Sequence, residues 1–370
     1  MQNQFSNALS EAICKHIKLS GTRRETLAWL AYLIMRQGTI CLWRLAAHVA
    51  TDATTASVRR RFYRFFQYVE LDGTAAARIV ADLLGLRGKR WVLAMDRTNW
   101  DFGKTPINIL MVSVIWKGMG IPLIWTLLPS AGNSRTDTRV CLLARLQKAF
   151  PDLKIAALMG DREFIGDKWM AYLKDKQIPF VLRLRENQHV VREGYETWTI
   201  AAIAGRLARG QKTIVKGWCK LGTAGQSPAV RLIVMRLKTG ELLALAASAN
   251  PRRALAQYRR RWTIETMFGN LKTKGFNLED THITDHGKLS TLLAVLAMAV
   301  ALCVKTGVAA ARLKSIPVKN HGRRAISLFA LGLAALRKIF AAAIPEQVIV
   351  FLKQLLSPRS PLKPLKSFAL

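Results

Sequence analysis

The chain predicts an α/β protein with helical ends, and three observations carry that reading. Short apolar runs bounded by turn residues alternate with helical patterns between residues 90 and 185. Apolar residues recur at a spacing near 3.6 through the first 85 residues. A long apolar stretch, Leu289 to Val304, follows a polar, patterned helix. At 370 residues the chain is long enough for a full core and two or three domains.

In the N-terminal region, Thr26–Met35 and Ile40–Val49 read as helices. Thr51-Asp-Ala-Thr-Thr55 breaks the pattern and offers N-cap residues. Ala56 to Phe66 follows, with Arg59, Arg60, Arg61 and Arg64 interleaved with aromatics. Helix, polar turn and basic helix is the outline of a helix-turn-helix, which makes Arg59, Arg60 and Arg64 candidate DNA contacts. The same outline also suits a bundle that only packs on the core.

Strands are expected at 91–96, 108–116, 121–128, 155–160 and 179–184, and helices at Thr138–Phe150 and Asp167–Lys176. The run Arg90 to Asp96 ends in an acid and is followed by the polar turn Arg97-Thr98-Asn99. The run Lys154 to Asp161 repeats the design and is followed by Arg162 and Glu163. Ligands gather at the carboxyl ends of strands in open α/β sheets. A single Asp there also serves as a turn former or cap. Residues 186–250 alternate short apolar runs with Gly and polar breaks, and strands are expected at 214–221, 230–237 and 242–247.

The segment from Tyr258 to Lys272 carries Tyr258, Arg261, Glu265 and Lys272 at offsets that fall within roughly a 60° arc of one helix. Ile264, Met267 and Leu271 form the opposite, packing face, with Phe268 at its border. An ordinary amphipathic helix with a solvated stripe fits this segment taken alone. Together with Asp96 and Asp161, Glu265 completes a set of three carboxylates. Hard divalent cations are held by such oxygens, and a metal pair so held serves phosphodiester chemistry.

These segments resemble the bacterial insertion-sequence transposases of the DDE type that carry the YREK signature. The signature is Tyr, two residues, Arg, three residues, Glu, six residues, Lys, and it matches Tyr258, Arg261, Glu265 and Lys272 without a gap. Met95 to Trp100 and Gly160 to Phe164 resemble the surroundings of the first and second catalytic Asp. The resemblance spans roughly residues 90–285. It implies an RNase H-like catalytic core interrupted by a β-rich insertion, with a helical N-terminal DNA-binding domain and a helical, basic C-terminal region.

The divisions it implies are 1–85, 86–185, 186–250 for the insertion, 251–312 for the second part of the core, and 313–370. Asp96, Asp161 and Glu265 would hold two Mg²⁺, with Mn²⁺ able to substitute. Arg261 and Lys272 would hold phosphates, and Tyr258 would bond a phosphate oxygen. The implied activity is cleavage at transposon ends and strand transfer, performed by a homodimer on double-stranded DNA. Relatives carry a base-flipping Trp just before the last strand of the insertion. Here that place is Gly240-Glu241-Leu242, with no Trp; Trp218 or Trp198 could substitute by stacking a base, and an ordinary packing role suits each at least as well. An RNase H-like nuclease without transposition, or an inactive DNA-binding relative, would share much of this pattern.

Bulk chemistry agrees with a nucleic-acid partner. There are 57 Lys and Arg against 23 Asp and Glu, a net charge of +34, which is a phosphate-backbone footprint, although a basic protein that binds anionic membrane or ribosomal RNA would show the same excess. From Thr281 onward only Asp285 and Glu346 are acidic, and Ser357 to Lys366 is a Pro-rich basic tail. The five Cys are scattered and indicate neither disulfides nor zinc. His282 and His286 suit a surface or phosphate contact better than metal ligation. The polar start, Met1 to Ser10, lacks a signal-peptide core, so a cytoplasmic, nucleoid-associated location is expected. The apolar run at 289–304 is short for a membrane span and reads as a buried helix. No Gly-rich phosphate loop is present, so no nucleotide cofactor is expected.

Overall fold

The structure, a computed structural model, describes residues 2–192, 197–320, 322–341 and 345–357. Five helices open the chain: α1 (Gln2–Ile13), α2 (Gly21–Gln37), α3 (Leu42–Ala46), α4 (Thr55–Tyr68) and α5 (Gly73–Leu83). Helix α2 ends where Gly38 adopts φ 70° and its N–H bonds the Ile34 carbonyl, a left-handed cap that suits glycine. The helix expected over 40–49 is only the short α3. Helix α4 starts at Thr54, whose hydroxyl accepts from the Ser57 N–H. It buries Val58, Phe62, Phe65 and Phe66, a stripe at helical spacing that turns Arg60, Tyr63, Arg64 and Tyr68 outward.

The core sheet follows: β1 (Arg90–Phe102), β2 (Thr105–Trp116), β3 (Met119–Leu127), α6 (Thr136–Ala149), β4 (Lys154–Gly160), α7 (Asp167–Asp175) and β5 (Phe180–Arg183). Strands β1, β2 and β3 form an antiparallel meander, and β4 and β5 run parallel to β1. The expected elements are all present, with one correction. Asp96 does not end its strand: β1 continues through Arg97-Thr98-Asn99 to Phe102, because the β2 backbone pairs with it as far as Phe102↔Thr105. The parallel pairing with β4 does stop there, at Met95↔Gly160. Asp96 and Asp161 are therefore the next residues on two adjacent parallel strands.

The segment expected as an insertion holds β6 (His189–Arg192), β7 (Trp198–Thr199), α8 (Ile200–Gly205), β8 (Lys212–Ile214), β9 (Cys219–Leu221), β10 (Arg231–Arg236) and β11 (Leu242–Ala247). Its strands divide between two sheets. β8, β10 and β11 extend the core sheet to eight strands in the order β3-β2-β1-β4-β5-β11-β10-β8, and β7-β6-β9 make a second sheet of three.

The last helices are α9 (Pro251–Arg259), α10 (Trp262–Leu271), α11 (His286–Leu313), α12 (Leu328–Ala341) and α13 (Pro345–Leu356). The single helix expected from Tyr258 to Lys272 is two. The chain breaks between Arg259 and Trp262, where the Thr263 and Ile264 amides bond the Arg260 and Arg261 carbonyls in tight, short-range turns. Lys272 lies past the end of α10. The packing face is as expected, with Ile264, Met267 and Leu271 buried.

Helix α11 is long and apolar enough to cross a membrane, yet 94% of its apolar window is buried inside the protein, so it serves here as the core helix. It crosses α12 at backbone distance. A Cβ at Gly332 would sit 1.7 Å from the Cys303 carbonyl oxygen, and one at Gly307 would sit 1.8 Å from the Leu328 carbonyl oxygen. Gly332→Ala is expected to lower stability by about 3 kcal/mol, since backbone has no rotamer to yield. Urea denaturation checks this, and a variant within 0.5 kcal/mol of wild type, roughly a surface-substitution effect, would contradict the crossing. Of the basic tail expected at 357–366, only Ser357 falls within the described residues.

Candidate active site

Three elements bring the three carboxylates together. β1 and β4 set Asp96 beside Asp161 through their parallel register. Helix α10 brings Glu265, and it lies close on β3 because position 120 is glycine: a Cβ there would meet the Thr263 carbonyl oxygen at 2.6 Å. Gly160 likewise lets Phe164 and Leu182 close over the turn that carries Asp161.

Arg261 is the centre of the cluster. Its Nη1 donates to Asp96 Oδ2 at 2.7 Å and its Nη2 to Glu265 Oε1 at 2.5 Å. Only 4% of the residue is exposed, so this is a buried, forked bridge between two acids. Its Nε is buried without a hydrogen-bond partner. Tyr258, at the end of α9, donates its hydroxyl to Asp161 Oδ1 at 3.3 Å. Thus the break between α9 and α10 aims Tyr258 at one Asp and Arg261 at the other.

The electrostatics follow from burial. Asp96 is pushed up to about 6 by desolvation, which outweighs the neighbouring Arg261; Asp161 and Glu265 add to the rise. Burial pushes the Tyr258 phenol up as well, which keeps it a donor. For Arg261, burial works against the charge, but Tyr258, Asp96, Asp161 and Glu265 around it outweigh burial and hold it firmly protonated.

Lys272 occupies the edge of the site. Its ammonium donates to the Asn99 carbonyl at 3.1 Å, pairs with Glu279 at 2.7 Å and lies 5.3 Å from the Trp100 ring centre. The remaining sequence candidates stand apart from this cluster. Arg59 stacks over Trp43, with 4.5 Å from guanidinium to ring centre, and Arg60 and Arg64 face outward from α4. Trp218 is 51% exposed before β9, under the Arg231 guanidinium at 5.4 Å. Trp198 is on β7 of the same small sheet.

Sequence reasoning missed the support beneath the two Asp. Arg97 Nε donates to Glu163 Oε2 at 2.7 Å, Nη1 to Asn108 at 3.0 Å and Nη2 to Asn133 at 3.2 Å. Ser134 donates to the other Glu163 oxygen at 3.0 Å, and the buried Arg139 donates to Ser134 Oγ at 2.8 Å. This network ties β1, β2, the 130–135 loop and the turn after Asp161 into one piece. The available signal was an opposite-charge pair, Arg97 next to Asp96 and Glu163 two residues after Asp161.

The donor chemistry fits a divalent metal: three hard oxygens, one of them so desolvated that its charge needs a cation beside it. Arg261 supplies that cation in this structure. Among the described residues, no group of three or more His, Cys, Asp or Glu stands in a ready-made coordinating arrangement. Asp96, Asp161 and Glu265 are the residues that would hold a metal, with Arg261 releasing at least one of its two partners.

Two acids thus stand side by side at the carboxyl edge of adjacent parallel strands, and Arg261 joins the first of them to a third acid on a following helix. Residues 44–302 match the family described as Transposase DDE domain, well over half of the chain, and the protein belongs to that family. The family is one of nucleic-acid-cleaving enzymes that generally use divalent metals. The chain matches no curated protein. A solved structure similar to the chain is the cryo-EM structure of the piggyBac transposase synaptic complex with hairpin DNA, at 11% identity, covering 97% of this chain and 83% of that one with a TM-score of 0.42. The assignment rests on the family match.

Proposed function

We propose that the protein is a cut-and-paste DNA transposase, with Asp96, Asp161 and Glu265 as its catalytic carboxylates. The observation that carries this reading is the joint placement of the three acids: the β1–β4 register sets two side by side, and Arg261 binds the third to the first. The strand order β3-β2-β1-β4-β5, antiparallel then parallel, is the arrangement an RNase H-like core requires. A pair of Mg²⁺ ions, when bound, would activate the attacking oxygen and stabilise the leaving one.

The chain's own residues do the rest. The three carboxylates would hold the cations, and the Arg97–Glu163 network fixes the spacing of Asp96 and Asp161 while Arg261 ties Glu265 to Asp96. Arg261, whose buried Nε has no hydrogen-bond partner, would take a phosphate oxygen once it lets go of a carboxylate. Lys272 at the edge and the outward Arg60 and Arg64 hold DNA by its backbone. The same acids serve water as nucleophile in the first cut and the freed 3′-OH in joining, because both reactions are in-line displacements at phosphorus. Two copies of the chain hold two DNA ends, since both ends must stay together to be joined.

The experiment is incubation of the protein and Mg²⁺ with DNA carrying the sequences that flank its gene. Excised and joined products support the reading. Nicking without joining would support the simpler nuclease instead, and binding without nicking an inactive relative.

A further inference from the structure

Arg261 is held by the very acids that would hold a metal, and this sets it apart from its basic neighbours. Arg97, Arg183 and Lys272 border the site, and each is paired with an acid outside the set of three: Arg97 with Glu163, Arg183 with Glu241 and Lys272 with Glu279. Arg183 follows Leu182, the partner of Gly160, and so stands beside Asp161 on the next strand. Arg261 instead bonds Asp96 and Glu265, and the carboxylates that act most strongly on its charge are Asp96, Asp161 and Glu265.

Both oxygens of Asp96 are in use. Oδ1 accepts the Arg97 backbone N–H at 2.8 Å, and Oδ2 accepts Arg261 Nη1. Glu265 Oε1 takes the other prong of the same fork. A cation shared by Asp96 and Glu265 therefore has to displace the guanidinium. The backbone of Arg261 is fixed at both ends, its N–H bonding the Tyr258 carbonyl and its carbonyl accepting the Ile264 N–H, each at 2.8 Å. Displacement falls to the side chain, and with only 5% of that side chain in solvent the guanidinium has no open water to turn into.

A metal that entered without DNA would thus leave a buried, permanently charged guanidinium beside a divalent cation, with no carboxylate of its own. That arrangement disfavours the metal. A phosphodiester brought to the site reverses the balance, because phosphate accepts the guanidinium fork as a carboxylate does. The buried Nε, which has no hydrogen-bond partner, adds a further donor for it.

We infer that Arg261 closes the metal site in the DNA-free protein, and that a seated DNA phosphate takes the guanidinium from Asp96 and Glu265 and so opens these ligands to the cations. Metal and DNA then bind cooperatively, each raising the affinity for the other by the same factor. This role for Arg261 rests on the reading of the three acids as ligands, and it makes their occupancy conditional on DNA.

The test is Mn²⁺ titration of the full-length protein, followed by electron paramagnetic resonance, with and without a duplex carrying the sequences that flank its gene. In wild type the duplex is expected to tighten Mn²⁺ binding by about tenfold or more, and Mn²⁺ to tighten duplex binding, read by fluorescence anisotropy, by the same factor. Without DNA, Arg261→Gln is expected to bind Mn²⁺ more tightly than wild type by about tenfold, and the duplex should then add much less. Arg261→Lys keeps the charge but lacks the fork across two acids, so it too should bind Mn²⁺ more tightly than wild type without DNA. Lys272→Ala removes a charge at the edge of the site and should leave DNA-free binding as in wild type. Should Arg261→Gln fail to fold, Arg261→Lys and the two wild-type titrations decide the matter. A wild-type Mn²⁺ affinity that ignores the duplex would overturn this role. So would Arg261 variants that bind Mn²⁺ no more tightly than wild type, or a gain in Arg261→Gln matched by Lys272→Ala. Mn²⁺ that binds none of the proteins, with or without duplex, defeats the ligand reading and this role with it. Mn²⁺ that binds all of them alike in both conditions leaves the ligand reading standing and defeats this role alone.

Discussion

Asp96→Asn protein is expected to fold, bind DNA and cut at least about 10³-fold more slowly, the scale on which removal of a central catalytic group acts. The variant should also be more stable than wild type when metal is absent. Asp96 titrates at about 6 in the folded protein, raised chiefly by burial, against about 3.9 in an unfolded chain. A raised carboxyl favours the folded state below pH 4, and that contribution is lost as pH rises through 6. Asparagine stays neutral throughout. The gap between variant and wild type should therefore be near zero below pH 4 and open to on the order of 2 kcal/mol above pH 6. Urea denaturation in chelator at pH 4 and pH 7 measures the gap. A constant destabilisation across that range would mean that Asp96 is a structural partner of Arg261 rather than a strained ligand.

Arg261→Ala carries the opposite sign and is the largest expected loss of stability. Its guanidinium is the buried counter-ion of both Asp96 and Glu265. Removing one member of a buried ionic group leaves uncompensated charge and costs about 3 to 5 kcal/mol. Glu265 is partly exposed, with 40% of its side chain in solvent, which moves the expectation to the lower end, about 3 kcal/mol. Arg261→Lys should recover little, because an ammonium lacks the fork that spans two acids. Mg²⁺ should stabilise Arg261→Ala more than it stabilises wild type, since it no longer competes with the guanidinium for the same oxygens. Thermal melts with and without Mg²⁺ check both statements. Equal metal-induced shifts in the two proteins would show that Arg261 and the metal do not share ligands.

The sequence announced the acids and hid the way they are held. Asp96 and Asp161 stood out as acids closing apolar runs, because buried parallel strands read as unbroken hydrophobic stretches. That Met95 pairs with Gly160, and so sets the two Asp side by side, is a register, which depends on long-range pairing and not on either segment alone. Arg97-Thr98-Asn99 has the polar character of a turn, but β2 supplies a hydrogen-bonding edge that holds it as strand. The spacing of Tyr258, Arg261, Glu265 and Lys272 reads as one helix because no Gly or Pro marks the break at Arg260. The break comes from tertiary demands: the Tyr258 hydroxyl reaches Asp161 while the Arg261 guanidinium reaches Asp96. Burial of Arg261 was equally hidden, since a polar stripe on a helix looks the same whether it faces solvent or a cluster of acids. Helix α11 was legible as a buried helix from its apolar run, but its full length was not: the helix runs from His286 to Leu313, long and apolar enough to cross a membrane, and only its burial among the other helices shows it as core.

Asp96, Asp161 and Glu265 are expected to form one metal site. Mn²⁺ titration followed by electron paramagnetic resonance, on wild type and on Asp96→Asn, Asp161→Asn and Glu265→Gln, tests it without reference to turnover. Saturable binding is expected in wild type and loss or marked weakening in each variant, while Lys272→Ala, which removes none of the three carboxylates, should bind as wild type does. Three variants that bind Mn²⁺ as tightly as wild type would contradict it.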